Sequence, residues 1–377
     1  MTVELYHPEL RGVFVSETEI SCLEDGFSYR GYDVGELCQA GGFLETAYLL
    51  LHERLPGGEE LADFRSLMLE AAEPSRAVQA LADVLPMSVR PLEMLRTAVS
   101  VLGHEDWTPS DETVDSNRAR AARLIAQMPL LAASALGTPE PHEFCPERSF
   151  AGNVARLLGV GEPSSLHERA IETVLVLLAD HELNTPTFAA RVVASRGADV
   201  YSAVTAALAA MCGPTALPDT DGWFQGMLDV ASPDGAGDFV ERMLARAPDA
   251  VRPEVPGFGH PVYDETDPRA VMLERVCEDL AVATGHEWLE EIASAVESAV
   301  WQQTGLSPNV EWPRRRLMHY VGLPAEAGDL LFCCSRVVGW CANAIEQHEE
   351  GTTYRPRARY RGAEGLRYTS LGDDGRD

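Results

Sequence analysis

The sequence contains no lysine, and all 30 of its basic residues are arginine. They stand against 59 acidic residues, which gives a formal net charge of −29 and a pI of about 4.6. Nucleic acids and anionic membranes attract basic surfaces, so a chain this acidic lacks the electrostatic basis for binding either. Two origins of the acidity stay open: a cytosol of high salt, or a GC-rich genome with a mildly acidic proteome.

Long apolar runs and metal-binding patterns are also missing. The best apolar run, around Val174–Ala179, is far shorter than the ~18 residues that span a bilayer. The opening residues MTVELYHPEL lack the blocks of a secretory signal, so we expect a cytoplasmic protein. The eight cysteines form no CxxC pair, and no His/Cys cluster has zinc spacing. We therefore expect buried free thiols and no metal site.

The chain opens with strand-like segments and then becomes helical. Gly12–Ser21 and Phe27–Val34 flank a turn at Glu24–Gly26, which predicts a small β hairpin. Apolar residues then recur at helical spacing. The helices predicted in this way are Phe43–Leu51, Glu59–Ala71, Leu92–Leu102, Arg118–Leu136 and His167–Leu178. Pro129 inside the fourth of them predicts a kink or a division.

A second helical block, Phe188–Met211, stops at Gly213-Pro214. From there to about Val255 the chain is polar and rich in Pro, Asp and Gly, between two shorter helices. We predict an all-α fold with a small N-terminal β hairpin. The predicted domains are a large helical one, residues 1–217 with 323–377, and a small one, residues 218–322.

Two histidines are candidates for chemistry. His181 lies between two carboxylates in ADHELN, a position where most histidines are only solvated or cap a helix. His260 is framed by Gly257 and Gly259, and Arg269 follows nine residues later. An Arg that holds a carboxylate beside a His that meets a carbonyl suits an oxo-acid. A purely structural role for this pair stays equally open.

One carboxylate and one arginine complete the candidates. The turn Ser307–Trp312 delivers Glu311 next to apolar residues, where it is suited to act as a general base, although a Glu that caps a helix is more common. Arg336 lies inside an apolar helix, and a buried arginine requires an anionic partner. That partner is either an internal carboxylate or a bound one.

Together these segments resemble the citrate synthase family along essentially the whole chain. The motifs are YRGYD at Tyr29–Asp33, ERLP at Glu53–Pro56, MLRTAVSVLG at Met94–Gly103, ADHELN at Ala179–Asn184, TFAARVVASRGADVYSAV at Thr187–Val204, GFGH at Gly257–His260 with VY and DPRA beyond it, NVE at Asn309–Glu311, SRVVGW at Ser335–Trp340 and YRPRARYRG at Tyr354–Gly362. The resemblance implies an all-α homodimer whose small domain closes over the site. It also implies condensation of an acyl-CoA with oxaloacetate, without a further cofactor.

The resemblance also implies roles for residues of this chain. The oxaloacetate pocket corresponds to His181, His260, Arg269 and Arg336, and Arg355 corresponds to an arginine that reaches in from the partner subunit. His260 and Glu311 are the expected catalytic residues.

The chain departs from the family on the acyl-CoA side. Ala216 stands where the family has the His that binds the thioester oxygen, Glu311 replaces an Asp, and Pro261 and Asp264 replace basic residues. Losing one oxyanion donor typically costs ~10²–10³ in rate. Three interpretations stay open. The first is a synthase in which Thr215 or Thr220 supplies the donor. The second is an impaired paralogue that binds oxaloacetate or citrate and regulates, or pairs with, an intact synthase; the third is a relic that keeps only the fold.

Overall fold

The computed structural model describes residues 7, 10, 12–24, 26–73, 75–86, 88–106, 113–139, 142–213, 220–245 and 255–368, without the side chains of 82, 83, 220 and 221. Within these ranges the strands are β1 (Ser21–Cys22), β2 (Ser28–Tyr29) and β3 (Tyr32–Asp33). The helices are α1 (Val34–Ala40), α2 (Phe43–His52), α3 (Gly58–Ala71), α4 (Arg76–Val84), α5 (Pro91–Gly103), α6 (Val114–Leu136), α7 (Phe150–Leu157), α8 (Ser165–Leu177), α9 (Thr185–Ala194), α10 (Val200–Met211), α11 (Thr220–Leu228), α12 (Ala236–Leu244), α13 (Pro268–Thr284), α14 (Glu287–Thr304), α15 (Glu311–Val321) and α16 (Ala327–Glu350). None of the described helices is long and apolar enough to cross a membrane.

The all-α prediction with a small N-terminal hairpin is confirmed. Strands β1, β2 and β3 form one antiparallel sheet, in which Ser21 pairs with Tyr29 and Ser28 with Asp33. The hydroxyl of Tyr29 bonds the carbonyl of Val176 at 3.0 Å and accepts from the backbone N–H of Asp180 at 3.2 Å. The sheet therefore anchors the chain just beyond α8, where the first candidate histidine lies.

All five helices predicted in the first half exist, with ends shifted by a few residues. A division at Pro129 is wrong, because α6 runs unbroken through it. A proline costs one backbone hydrogen bond, but every residue from 124 to 133 of this helix is buried, and tertiary packing outweighs the local loss. The predicted block Phe188–Met211 is two helices, since Gly197 takes a φ of +73° and Asp199 caps α10.

Helix α16 forms the centre of the core and packs on α6, α8, α9 and α10. It approaches the chain after α8 closely at Gly339, where an added Cβ would lie 2.4 Å from the carbonyl oxygen of Ala179. The prediction of buried free thiols holds for half of the eight free cysteines: Cys277, Cys333, Cys334 and Cys341 are buried, and Cys22 is exposed.

Helices α11 to α15 pack mainly on one another. Helix α13 contacts α14 and α15, α12 contacts α11 and α14, and α11 contacts α15. Helix α8 contacts both α13 and α15. The site residues thus come from the end of α8, the loop before α13, the first turns of α13 and α15, and the middle of α16.

Candidate functional site

The segment after α8 is held by a buried carboxylate. Asp180 accepts hydrogen bonds from the Ser21 hydroxyl at 2.6 Å, the Asn343 amide at 3.1 Å and the Glu182 backbone N–H at 3.1 Å. Burial raises the pKa of Asp180, but these donors satisfy its oxygens. Sheet, α8 and α16 thereby meet at one residue, and His181 follows directly.

His181 is neutral and tied to a tyrosine. Burial first, and then the charges of Arg269 and Arg336, hold the pKa of His181 well below its usual value. Its Nε2 lies 3.1 Å from the hydroxyl of Tyr263. The rings of His181 and His260 meet edge to face, with centroids 5.1 Å apart. The two histidines predicted from sequence are therefore neighbours, although 79 positions separate them.

The loop that carries His260 is joined to the turn before α15. The Gly259 N–H donates to the Ser307 carbonyl at 2.8 Å, and the Asn309 N–H donates to the Gly257 carbonyl at 2.9 Å. Gly257 and Gly259 have φ values of +86° and +72°, which only glycine adopts without strain. The two glycines thus permit the turn that brings His260 beside Glu311's helix.

Backbone contacts define the tautomer of His260. The N–H groups of Val262 and Tyr263 donate to its Nδ1, at 3.1 and 3.3 Å. Burial first, and then the charge of Arg269, lowers the pKa of His260 to about 4, so the ring is neutral at pH 7. A neutral imidazole that accepts at Nδ1 carries its proton on Nε2. His260 therefore presents an N–H donor at Nε2.

Arg269 is oriented by Asp267 at the start of α13. Its Nε and Nη2 donate to the two oxygens of Asp267, at 2.9 and 2.8 Å, and the pair is almost fully buried. Asp267 also accepts from the Val310 N–H at 3.0 Å, which ties α13 to the start of α15. Nη2 of Arg269 lies 3.3 Å from Nε2 of His260. The guanidinium of Arg269 and the imidazole of His260 thus face the same space, and a negatively polarised oxygen bound there would accept from the guanidinium and, with the proton on Nε2, from the imidazole.

Arg336 is a buried arginine with an unsatisfied nitrogen. It is 1% exposed, its Nε donates to the Leu178 carbonyl at 2.6 Å, and its Nη1 has no hydrogen-bond partner among the described residues. Burial lowers the pKa of Arg336 to about 10, although Asp180 acts in the opposite direction. The group remains a cation at pH 7, and a bound carboxylate would accept from the N–H groups of Nη1.

Glu311 is the first residue of α15 and forms an ion pair within that helix. Nε of Arg314 donates to its Oε2 at 3.0 Å, and Nη2 of Arg314 donates to the same oxygen. The Glu311 N–H donates to the Asn309 side chain at 3.0 Å. Within the described part of the chain no hydrogen bond reaches Oε1. The carboxylate is therefore held through one oxygen.

The structure brings together four of the predicted pocket residues, His181, His260, Arg269 and Arg336. Arg355 lies apart from them on the exposed segment after α16, where its Nη1 donates to the Pro356 carbonyl at 2.7 Å.

The acyl-CoA side is only partly described. Thr215 and Ala216 lie outside the described residues, and so does the side chain of Thr220. Pro261 and Asp264 are exposed.

Three residues of the site were missed in the sequence. Tyr263 and Asp267 stand inside quoted motifs, so their positions were visible but their partners were not. Arg314 follows Glu311 at the i,i+3 spacing of a helical ion pair, a signal that predicts this contact. Among the described residues no group of His, Cys, Asp or Glu has a metal-binding arrangement. The cluster instead combines two neutral histidines with guanidinium groups and with carboxylates that mostly orient other side chains, which suits polarising a carbonyl beside arginines.

Comparisons with known proteins identify the family. The model of the citrate synthase C-terminal domain matches residues 9–357. The citrate synthase of Mycolicibacterium smegmatis is 34% identical over 94% of this chain and 95% of its own. The citrate/2-methylcitrate synthase of Bacillus subtilis is 32% identical over 95% of this chain and 96% of its own.

Solved structures give the same result. Citrate synthase from Pyrobaculum aerophilum superposes with a TM-score of 0.86 at 31% identity, covering 97% of this chain and 96% of that one. Citrate synthase from Thermoplasma acidophilum, in a ternary complex with carboxymethyl coenzyme A and oxaloacetate, superposes with a TM-score of 0.86 at 25% identity, covering 96% and 97%. The chain therefore belongs to the citrate synthase family.

Proposed function

We propose that this protein binds oxaloacetate and condenses it with an acyl-CoA, yielding citrate or a 2-alkylcitrate and free CoA. One observation carries the proposal: His181, His260, Arg269 and Arg336 converge, although they lie far apart in sequence. A related citrate synthase holds oxaloacetate together with a coenzyme A analogue.

Recognition of oxaloacetate follows from the donors of the cluster. Arg336 offers a guanidinium nitrogen, Nη1, that has no partner in the described part of the chain, and it binds one carboxylate. Arg269 lies beside the Nε2 proton of His260, and together they bind the ketone end of the substrate. Both histidines are neutral, so the positive charge for the two carboxylates comes from arginine alone.

The reaction uses the two expected catalytic residues. Glu311 removes a proton from the α-carbon of the acyl group, and the C–H electron pair forms an enolate. The enolate carbon bonds to the ketone carbon of oxaloacetate, whose oxygen takes the Nε2 proton of His260 and becomes a hydroxyl. Water then adds to the thioester carbonyl, the C–S bond breaks, and CoA leaves as its thiol. Proton exchange with solvent restores Glu311 and His260.

The remaining parts of the proposal concern architecture. We assign residues 1–217 and 323–377 to a large domain and 218–322 to a small domain that closes over the site, consistent with the mutual packing of α11 to α15. The protein acts in the cytoplasm as a homodimer and needs no metal or other cofactor. Acyl-CoA is one of its two substrates and not a cofactor. The exposed Arg355 completes the pocket of the partner subunit.

A second function is favoured by the departures on the acyl-CoA side. Ala216 and Asp264 remove a donor and a cation that the family uses, while the oxaloacetate cluster is complete. In this alternative the protein binds oxaloacetate or citrate without turnover, as a regulatory or partner subunit of an intact synthase.

Thiol release distinguishes the two functions. Purified protein is mixed with oxaloacetate and acetyl-CoA or propionyl-CoA, at low and at molar salt, and free CoA is followed. Oxaloacetate-dependent release establishes a synthase. No release, together with a higher Tm in oxaloacetate on the same sample, establishes the carboxylate-binding paralogue. If CoA release and the Tm shift are both absent, both functions are contradicted.

A further inference from the structure

We propose that Arg314 takes part in the proton-transfer step: it holds the carboxylate of Glu311 and offsets the negative charge that moves from that carboxylate onto the thioester oxygen. The inference rests on the proposed condensation. It assigns to a residue of α15 the electrostatic role that Ala216 leaves unfilled.

The contact between Arg314 and Glu311 is close and shielded from water. Two nitrogens of Arg314, Nε and Nη2, donate to Oε2 of Glu311. The side chains of Arg314 and Glu311 are only 6% and 14% exposed. In such surroundings an ion pair is screened little by solvent or salt, unlike an exposed pair at the same i,i+3 spacing.

Arg314 is itself held from a second helix. Its Nη1 donates to the Gly328 carbonyl at 2.8 Å, in the first turn of α16. An added Cβ at Gly328 would lie 3.3 Å from that nitrogen, so a side chain there would crowd the guanidinium. The same α16 carries Arg336, and Arg314 therefore links Glu311 to the helix of the oxaloacetate pocket.

This arrangement accommodates the replacement of Asp by Glu. The extra methylene shifts a carboxylate by about 1 Å, and a shift of that size can cost on the order of 10²-fold in rate. Because Arg314 binds Oε2 from the next turn of α15, the longer side chain of Glu311 is held in one position. Oε1 receives no hydrogen bond within the described residues, so it is the oxygen available to accept the proton.

The charge balance gives Arg314 its role in the reaction. Before the transfer, Glu311 and Arg314 form a neutral pair. The α-carbon then loses its proton to Glu311, and the negative charge passes to the thioester oxygen. That oxygen belongs to the same acyl group that Glu311 deprotonates. The guanidinium remains a cation throughout, so the site stays neutral overall. Fixed charges of this kind stabilise a transition state without reorganisation.

Kinetics of Arg314→Met, Arg314→Lys and the matched control Arg315→Met test the inference. Arg315 is the neighbouring buried arginine, and its guanidinium stacks on the Phe224 ring at 4.8 Å. The assay is oxaloacetate-dependent CoA release from acetyl-CoA with light or deuterated methyl groups. The Tm with and without oxaloacetate shows whether each variant is folded and keeps its pocket.

We expect Arg314→Met to lower kcat by ~10²–10³ with the KM for oxaloacetate nearly unchanged, as for loss of an oxyanion donor. The deuterium isotope effect on kcat should rise, because proton removal becomes slower than the other steps; a purely structural residue would not change it. Arg314→Lys, which keeps the charge, should retain more activity, and Arg315→Met should stay within about threefold of the parent.

The inference and the proposed function fail in different ways. A parent protein that turns over, with a kcat and an isotope effect unchanged by Arg314→Met, overturns the inference and leaves the function standing. A faster Arg314→Met variant also overturns it, because the ion pair would then restrain the base. If Arg314→Met does not fold, Arg314→Gln removes the same charge with a polar side chain, and a kcat and an isotope effect equal to those of the parent in that variant are the contradicting result. Absence of turnover in the parent overturns the proposed function and the inference together.

Discussion

The two sides of the site are built differently. On the proposed oxaloacetate side, buried partners orient each side chain: Asp267 holds Arg269, two backbone N–H groups hold His260, and the Leu178 carbonyl holds Arg336. On the proposed acyl-CoA side, Ala216 stands where the resemblance leads us to expect a His, and Glu311 takes its orientation from Arg314 within one helical turn.

This difference teaches that the oxaloacetate pocket and the proton-transfer group depend on separate contacts. The pocket joins α8, α13 and α16 through long-range hydrogen bonds, so it persists as long as the core is packed. The position of Glu311 depends mainly on contacts at the start of α15, where Arg314 in turn donates to the Gly328 carbonyl of α16. Binding of oxaloacetate and removal of the acyl proton should therefore be separable by mutation.

The largest expected effect is on turnover. Glu311→Gln removes the proposed base and should lower kcat by ~10²–10⁴, the usual contribution of general-base catalysis, while oxaloacetate still raises the Tm. CoA release and thermal unfolding measure the two properties, with the exposed Glu287→Gln as control. Loss of the oxaloacetate shift in Glu311→Gln would show that the two sides are not separable.

The next largest effect is on the binding of oxaloacetate. Arg336→Met removes a buried cation of the pocket, so the stabilisation by oxaloacetate should disappear; at 100 times the Kd this stabilisation is ~2.7 kcal/mol. The Tm without ligand shows that the variant folds, and Arg315→Met controls for removing a buried arginine. An oxaloacetate shift that persists at full size would mean that the pocket is misassigned.

A smaller effect, on the stability of the fold, is expected where Gly339 of α16 packs against Ala179. Gly339→Ala introduces a Cβ 2.4 Å from both the Ala179 carbonyl oxygen and Oδ1 of Asp180, and should destabilise the fold by about 1–3 kcal/mol. Gly237→Ala is the matched control, because nothing lies within 4 Å of its added Cβ. Chemical denaturation measures both, and equal stabilities would contradict the packing argument.

The last effect concerns the pH dependence of stability. The pKa of His260 is about 4 in the folded protein and ~6.5 in an unfolded chain, so between these values the unfolded state binds more protons. The contribution of His260 to the free energy of unfolding is therefore complete above pH 6.5 and is lost as the pH falls to 4. Denaturation at several pH values should give a shallower dependence in His260→Gln, with the exposed His104→Gln as control. Identical slopes would show that His260 does not titrate in this window.

Much of the fold was predictable from local patterns. Apolar spacing and flanking Gly or Pro predict helices such as α2 and α5, and the turn residues predict the hairpin. The predicted division at Pro129 was wrong because local propensity favours a break, while burial of the residues around it holds α6 together. The two-helix nature of 188–211 was also missed, since the apolar pattern continues across the turn at Gly197.

The sequence by itself determined the family and the helical class, and motifs such as GFGH and DPRA supplied the candidates for the proposed pocket. Only the tertiary structure decided what those side chains touch. The bond from Val310 to Asp267 and the approach of Gly339 to Ala179 join residues 43 and 160 positions apart. Such contacts arise from packing of whole helices, and no local pattern encodes them. The pairing of Glu311 with Arg314 lies between these cases: the i,i+3 spacing allows it, and burial makes it strong.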